Sequence, residues 1–97
     1  MSIVLSVYTK NAYKEFQLPV ANNMDYEIGI SGRFFRLKED LALRLEAVDG
    51  SWRLRHSRAY SLEKEGGDPY GYLQSDDIIR IVTWQEEAVT LVVTEHL

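Results

Sequence analysis

The sequence predicts an all-β domain, an antiparallel sandwich of about eight to ten short strands. Three observations lead there. Runs of β-branched and aromatic residues recur about every ten residues, with turn-forming residues between them. One pair of runs divides into an apolar and a polar face when folded back on itself. The helical spacing seen in the middle of the chain explains only half of that pair.

Residues 3–9, with Ile3, Val4, Val7 and Tyr8, form the first run, and Lys10 and Asn11 turn the chain. Residues 12–18 return, and Pro19 stops them because proline has no donor for a ladder. A loop over 21–24 leads to a third strand at 26–30, ended by Ser31 and Gly32. Two readings compete for the middle. Phe34, Leu37, Leu41, Leu45 and Val48 lie three or four apart, the spacing of a helix over 34–48. The alternative is a hairpin of 41–48 with 51–56 around an Asp49-Gly50 turn. Paired outward from that turn, Leu43, Leu45, Ala47, Trp52, Leu54 and His56 share one face. Arg44, Glu46, Val48, Ser51, Arg53 and Arg55 share the other. The hairpin accounts for both segments, so it is the preferred reading. Residues 60–63 make a short strand and 64–71 a loop rich in glycine and charge. After a turn at 75–77, strands at 78–84 and 88–94 flank a turn at 85–87.

The 97 residues are sized for a single domain over 1–97. Because the chain stops just after a predicted strand, we expect it to be part of a longer protein. Hydrophobic residues at 45% and charged residues at 27% suit a globular domain, and no run reaches the roughly 18 apolar residues of a membrane span. There is no cysteine, hence no thiolate or disulfide chemistry. A net charge of −4 argues against nucleic acid as partner, since phosphate neutralisation requires excess cations.

Chemistry is sparse. The two histidines are His56, on the predicted core face, and His96, near the end. Neither has a metal-ligand spacing, so no metal or other cofactor is expected. Asp76-Asp77 and Glu86-Glu87 read as solvated turn residues, and no serine or threonine has a base and orienting acid at recognisable spacing. The expectation is no enzyme. Six of the seven arginines lie within 33–58, and acids concentrate in 63–87. Arg33, Arg36, Arg44, Arg53 and Arg55 are therefore the candidate partner surface, since the guanidinium fork suits carboxylate or phosphate recognition. In the hairpin Arg44 and Arg55 stand directly opposite each other, a like-charge pairing that disfavours folding somewhat.

The segment order carries a resemblance. An isoleucine–glycine strand (Ile28, Gly29), a hairpin whose second strand holds Trp52, and Leu73 followed by Asp76, Asp77 and Ile78 leading into a strand resemble a forkhead-associated (FHA) domain. More narrowly, the chain is similar to the N-terminal FHA-like domain of the FtsK/SpoIIIE-type membrane ATPase of Gram-positive type VII secretion systems. The resemblance implies an FHA/SMAD-like sandwich at the cytosolic N-terminus of a longer membrane protein. Its role would be to assemble the secretion machinery through protein partners. Phosphothreonine readers of the family carry a Gly-Arg after the isoleucine strand, a Ser-x-x-His and an Asn-Gly. Here Ile30 follows Gly29, Gly32-Arg33 is displaced, Lys38, Glu39, Asp40 and Leu41 stand at the second motif, and Asn-Gly is absent. No phosphothreonine-binding residue is therefore carried over. Two alternatives remain: a phosphopeptide reader with displaced donors, in which Arg33 and Arg36 converge with Ser31 or Ser57, and a ubiquitin-like adaptor built on a helix over 34–48.

Overall fold

A computed structural model describes residues 2–20, 22–84 and 88–96. Every predicted run forms a strand: β1 (Ser2–Tyr8), β2 (Tyr13–Leu18), β3 (Met24–Ile30), β4 (Leu41–Val48), β5 (Ser51–Leu54), β6 (Tyr60–Lys64), β7 (Ile78–Thr83) and β8 (Ala88–His96), with a four-residue helix α1 (Gly32–Phe35) between β3 and β4. The strands make two antiparallel sheets, a five-stranded one in the order β2-β1-β8-β7-β6 and a three-stranded one in the order β3-β4-β5. Their inner faces pack together as a β-sandwich. The first and last strands are neighbours within the larger sheet, Leu5 opposite Val93 and Val7 opposite Leu91.

Alternation sets the core. In β4, Leu41, Leu43, Leu45 and Ala47 are buried while Ala42 and Arg44 are exposed. They meet Leu5 and Val7 of β1, Ile79 and Ile81 of β7, and Val89, Leu91 and Val93 of β8 in one cluster. Trp52 is buried, and its indole N–H donates to the Pro19 carbonyl at 3.1 Å, fixing the loop that crosses between the sheets.

The hairpin register is the predicted one, with Val48 opposite Ser51, Ala47 opposite Trp52, Glu46 opposite Arg53 and Leu45 opposite Leu54. Asp49 and Gly50 have φ of 53° and 78°, as a type I′ turn requires. A Gly50→Ala variant places a Cβ on a left-handed residue. It is expected to lose about 1 kcal/mol in urea denaturation.

Three expectations need correction. The helix over 34–48, and the ubiquitin-like fold built on it, do not form: 41–48 is a strand, because its alternation buries one complete side against the five-stranded sheet while β3 and β5 pair along its two edges. The real helix spans only Gly32–Phe35, too short for periodicity to reveal, with Ser31 Oγ accepting from the Phe34 N–H as its cap. Phe35 from this turn is 2% exposed and closes one end of the core.

His56 is exposed and does not sit on the core face opposite Leu43. The cause lies one rung earlier. The Arg55 N–H donates to the Arg44 carbonyl at 2.9 Å, but the reciprocal bond is replaced by Tyr60. Its hydroxyl accepts from the Arg44 N–H at 3.3 Å and donates to the Arg55 carbonyl at 3.2 Å. The inserted hydroxyl ends the direct ladder, and the chain beyond Arg55 leaves the sheet.

Asp77, expected to be solvated, is half-buried. It pairs with Lys64 at 3.2 Å and accepts from the Gln74 N–H at 2.9 Å, tying the long loop before β7 to β6. Asp76 is exposed. Glu86, Glu87, the turn at 85–87 and the His96 side chain lie outside the described residues.

Candidate interaction surface

Period-two alternation sends Arg44 of β4 and Arg53 of β5 to the outer face of the three-stranded sheet, with Arg55 just beyond the end of β5. The third strand adds what the hairpin alone could not. β3 places Asp25 opposite Glu46 and Glu27 opposite Arg44. The face therefore carries three arginines and three carboxylates, the acids toward β3 and the arginines toward β5. Arg53 Nε donates to Glu46 Oε1 at 2.5 Å, and Arg55 Nη1 lies 3.3 Å from Asp25 Oδ1. This cross-strand neutralisation answers the like-charge opposition of Arg44 and Arg55. Exposed pairs of this kind contribute at most about 1 kcal/mol each, so their main effect is to hold the guanidinium groups in place.

Beyond β5 the surface turns aromatic. An isolated bridge joins Arg53 to Tyr72, and the Leu73 N–H donates to the Trp52 carbonyl at 2.8 Å, so the loop covers the edge of β5. Tyr72 is 44% exposed, with the Arg53 guanidinium 5.9 Å from its ring centre. The His56 ring lies on Tyr70, centres 3.7 Å apart and planes 18° from parallel. Glu46, Arg53, Arg55, His56 and Tyr70 line an open hollow of about 330 Å³.

Arg33 and Arg36 do not join this group. They lie on α1 and its left-handed cap, where Arg36 has a φ of 58°. The hydroxyls proposed to converge with them are taken by local backbone: Ser31 accepts from Phe34 N–H, and Ser57 accepts from Ala59 N–H at 3.1 Å. The predicted five-arginine surface thus divides into three on the sheet and two on the β3–β4 connection.

That same end of the sandwich holds a second concavity. Leu37, Glu39, Asp40, Leu41, Ala59, Thr83 and Trp84 line a notch of about 50 Å³. Leu41 is buried, Leu37 half-buried, and Trp84 is 72% exposed. Asp40 Oδ1 accepts from the Gly32 N–H at 2.6 Å, which fixes the rim. Thr83 Oγ1 is the single buried side-chain polar atom among the described residues without a hydrogen-bond partner. Such a group costs about 1–3 kcal/mol and calls for an explanation. The sequence offered a hint in Trp84, an aromatic at a strand end, but nothing in it joined 83–84 to 37–41.

Among the described residues no helix is long and apolar enough to cross a membrane, and no three His, Cys, Asp or Glu side chains gather as a metal site. No family model, curated protein or solved structure matches the chain. The functional reading therefore rests on these surfaces.

Proposed function

We propose that this chain is a non-catalytic protein–protein interaction module of the FHA-like type, acting at the cytosolic N-terminus of a type VII secretion ATPase to assemble the machinery. One observation carries the interaction role. Arg44, Arg53 and Arg55 are held on one sheet face, and the same surface continues without a break onto Tyr72 and the His56–Tyr70 stack. Arginine and tyrosine are the residues that anchor protein interfaces, because each offers large contact area with a directional polar end. The secretion assignment is supported by the order of the Ile28-Gly29 strand, the Trp52 hairpin and the Leu73–Ile78 turn, together with the two-sheet sandwich. The non-phospho reading is supported by the acid-rimmed notch at the loop end, where Glu39 and Asp40 would repel a phosphate dianion.

Two measurements test it. Calorimetric titration with a matched pair of threonine and phosphothreonine peptides is expected to give no phosphate-dependent heat. Micromolar binding of the phosphorylated peptide alone would establish the phosphopeptide reader instead. Sequencing the coding frame past Leu97 is expected to reveal a membrane span followed by P-loop modules. A stop codon there removes the secretion-ATPase assignment.

A further inference from the structure

We infer that the outer face of the five-stranded sheet pairs with the same face of a second copy of this chain, about a twofold axis lying along the strands between β1 and β8. This inference is independent of the secretion assignment and leaves the arginine-bearing sheet free.

The outward positions of this sheet differ from those of a solvated one. Val4 and Ser6 of β1 alternate with core residues and lie outside the core cluster, as do Thr90, Val92 and Thr94 of β8. Ile78 and Val82 flank them on β7, and Tyr8 and Tyr13 pair at the turn between β1 and β2. Tyr8, Tyr13 and Ile78 are 41%, 45% and 60% exposed. Among the described side chains, the outward positions of these four strands carry two charges, Glu15 and Arg80. An antiparallel sheet facing water ordinarily sends polar and charged residues outward, as the three-stranded sheet does. Here the polar groups bond within the face. Thr94 Oγ1 donates to the Val4 carbonyl at 3.4 Å, and the Tyr13 hydroxyl donates to the Glu15 carboxylate. A contiguous patch with so little charge marks an association surface.

The two charges select the occupant. Glu15, Ser6, Val92 and Ile78 form one row across the sheet, and Tyr13, Tyr8, Thr90 and Arg80 form the next. Glu15 on β2 and Arg80 on β7 therefore stand equally far from the seam between β1 and β8. Rotation about that seam exchanges β1 with β8 and β2 with β7. It lays Ser6 over Val92 and Tyr8 over Thr90 of the second copy, uncharged on uncharged. Arg80 comes over Tyr13 and beside Glu15, which is two residues along the strand. Each contact occurs twice by symmetry, a cation over a ring and next to a carboxylate. The Glu63 carboxylate on β6 already pairs with Arg80 and holds it at this position. The angle of about 30° between packed sheets shifts these neighbours by about 4 Å, which the arginine side chain spans.

Four strands about 4.8 Å apart and about seven residues long cover roughly 20 by 24 Å, or about 500 Å². Two copies together bury about 1,000 Å², where specific interfaces begin and below the size of obligate dimers. The expected product is a reversible dimer with Kd on the order of 100 μM.

The test is sedimentation equilibrium of the full chain from about 10 μM to about 1 mM in about 0.15 M salt, with circular dichroism to establish that each variant is folded. The weight-average mass is expected to climb from 11.2 kDa toward twice that value. Ile78→Glu sets a second carboxylate against Glu15 of the other copy and should raise Kd about tenfold or more. Glu15→Arg and Arg80→Glu should each do the same, while the double variant returns to within about threefold of the wild-type Kd. Lys38→Glu changes the net charge as much as Arg80→Glu does but lies off the face, and should leave Kd unchanged. A chain that stays monomeric at the highest concentration overturns the proposal. So does a dimer that keeps its Kd in Ile78→Glu, since its contact lies elsewhere on the domain. A double variant no tighter than the single ones, or equal weakening by Lys38→Glu, overturns it as well.

Discussion

Replacing Gly32 by alanine is expected to destabilise the domain by about 2–3 kcal/mol. A Cβ built on Gly32 falls 2.8 Å from the Glu39 carbonyl carbon, 2.9 Å from its oxygen and 3.2 Å from the Asp40 nitrogen. All three are backbone atoms, so no side-chain rotation relieves the overlap. Movement apart is resisted by the bond from Gly32 N–H to Asp40 Oδ1 and by the Leu37 N–H, which donates to the Gly32 carbonyl at 2.8 Å. Urea denaturation of the variant measures the loss. A change below about 0.5 kcal/mol would show that segment 37–40 rides freely on α1. Gly29 is the internal comparison: its Cβ would meet nothing within 4 Å, so Gly29→Ala is expected to be well tolerated.

Tyr60→Phe is expected to cost about 2 kcal/mol. The hydroxyl serves as a rung between β4 and the residue after β5, taking the Arg44 N–H and giving to the Arg55 carbonyl. Without it both backbone groups lose a partner in a part-buried place. A loss under about 0.5 kcal/mol would mean that the two strands close directly on each other once the hydroxyl is gone. The same residue gives a pH signature. Burial is the main cause that raises the Tyr60 phenol above its ordinary value of 10.0. Above about pH 10 the unfolded chain releases this proton while the folded chain keeps it. The stability from Tyr60 is therefore complete below about pH 10 and falls as pH rises toward the folded value. The wild type should lose more stability between about pH 9 and 11 than the Tyr60→Phe variant does.

Much of the fold was legible because strand alternation is a local signal. Leu43, Leu45, Ala47, Trp52 and Leu54 could be assigned to one face by pairing two segments outward from Asp49 and Gly50. His56 marks where this method ends. Its displacement follows from Tyr60, which belongs to the opposite sheet, and pairing within one hairpin contains no information about the other layer. The arginine surface follows the same pattern. Arg44, Arg53 and Arg55 share a face as their spacing implies, yet Asp25 and Glu27 balance them from β3, a neighbour invisible to the hairpin. Those acids alternate within 24–30 just as the arginines do and could have been paired with them. The notch was not legible, since it joins residues more than forty positions apart, Glu39 and Asp40 with Thr83 and Trp84.

The adjacency of β1 and β8 has a consequence for synthesis. Strand β1 is made before the other seven described strands, yet one of its two ladders is with the last of them, Ala88–His96. Until that segment emerges, β1 and β7 lack the strand that lies between them, and Leu5, Val7, Ile79 and Ile81 lack their covering neighbours on it. A nascent chain halted before residue 88 thus presents two unpaired strand borders to solvent, the condition that invites chaperone capture or pairing with another copy. Pairing of β1 with β8, some ninety residues apart at its most distant rungs, also favours slow folding.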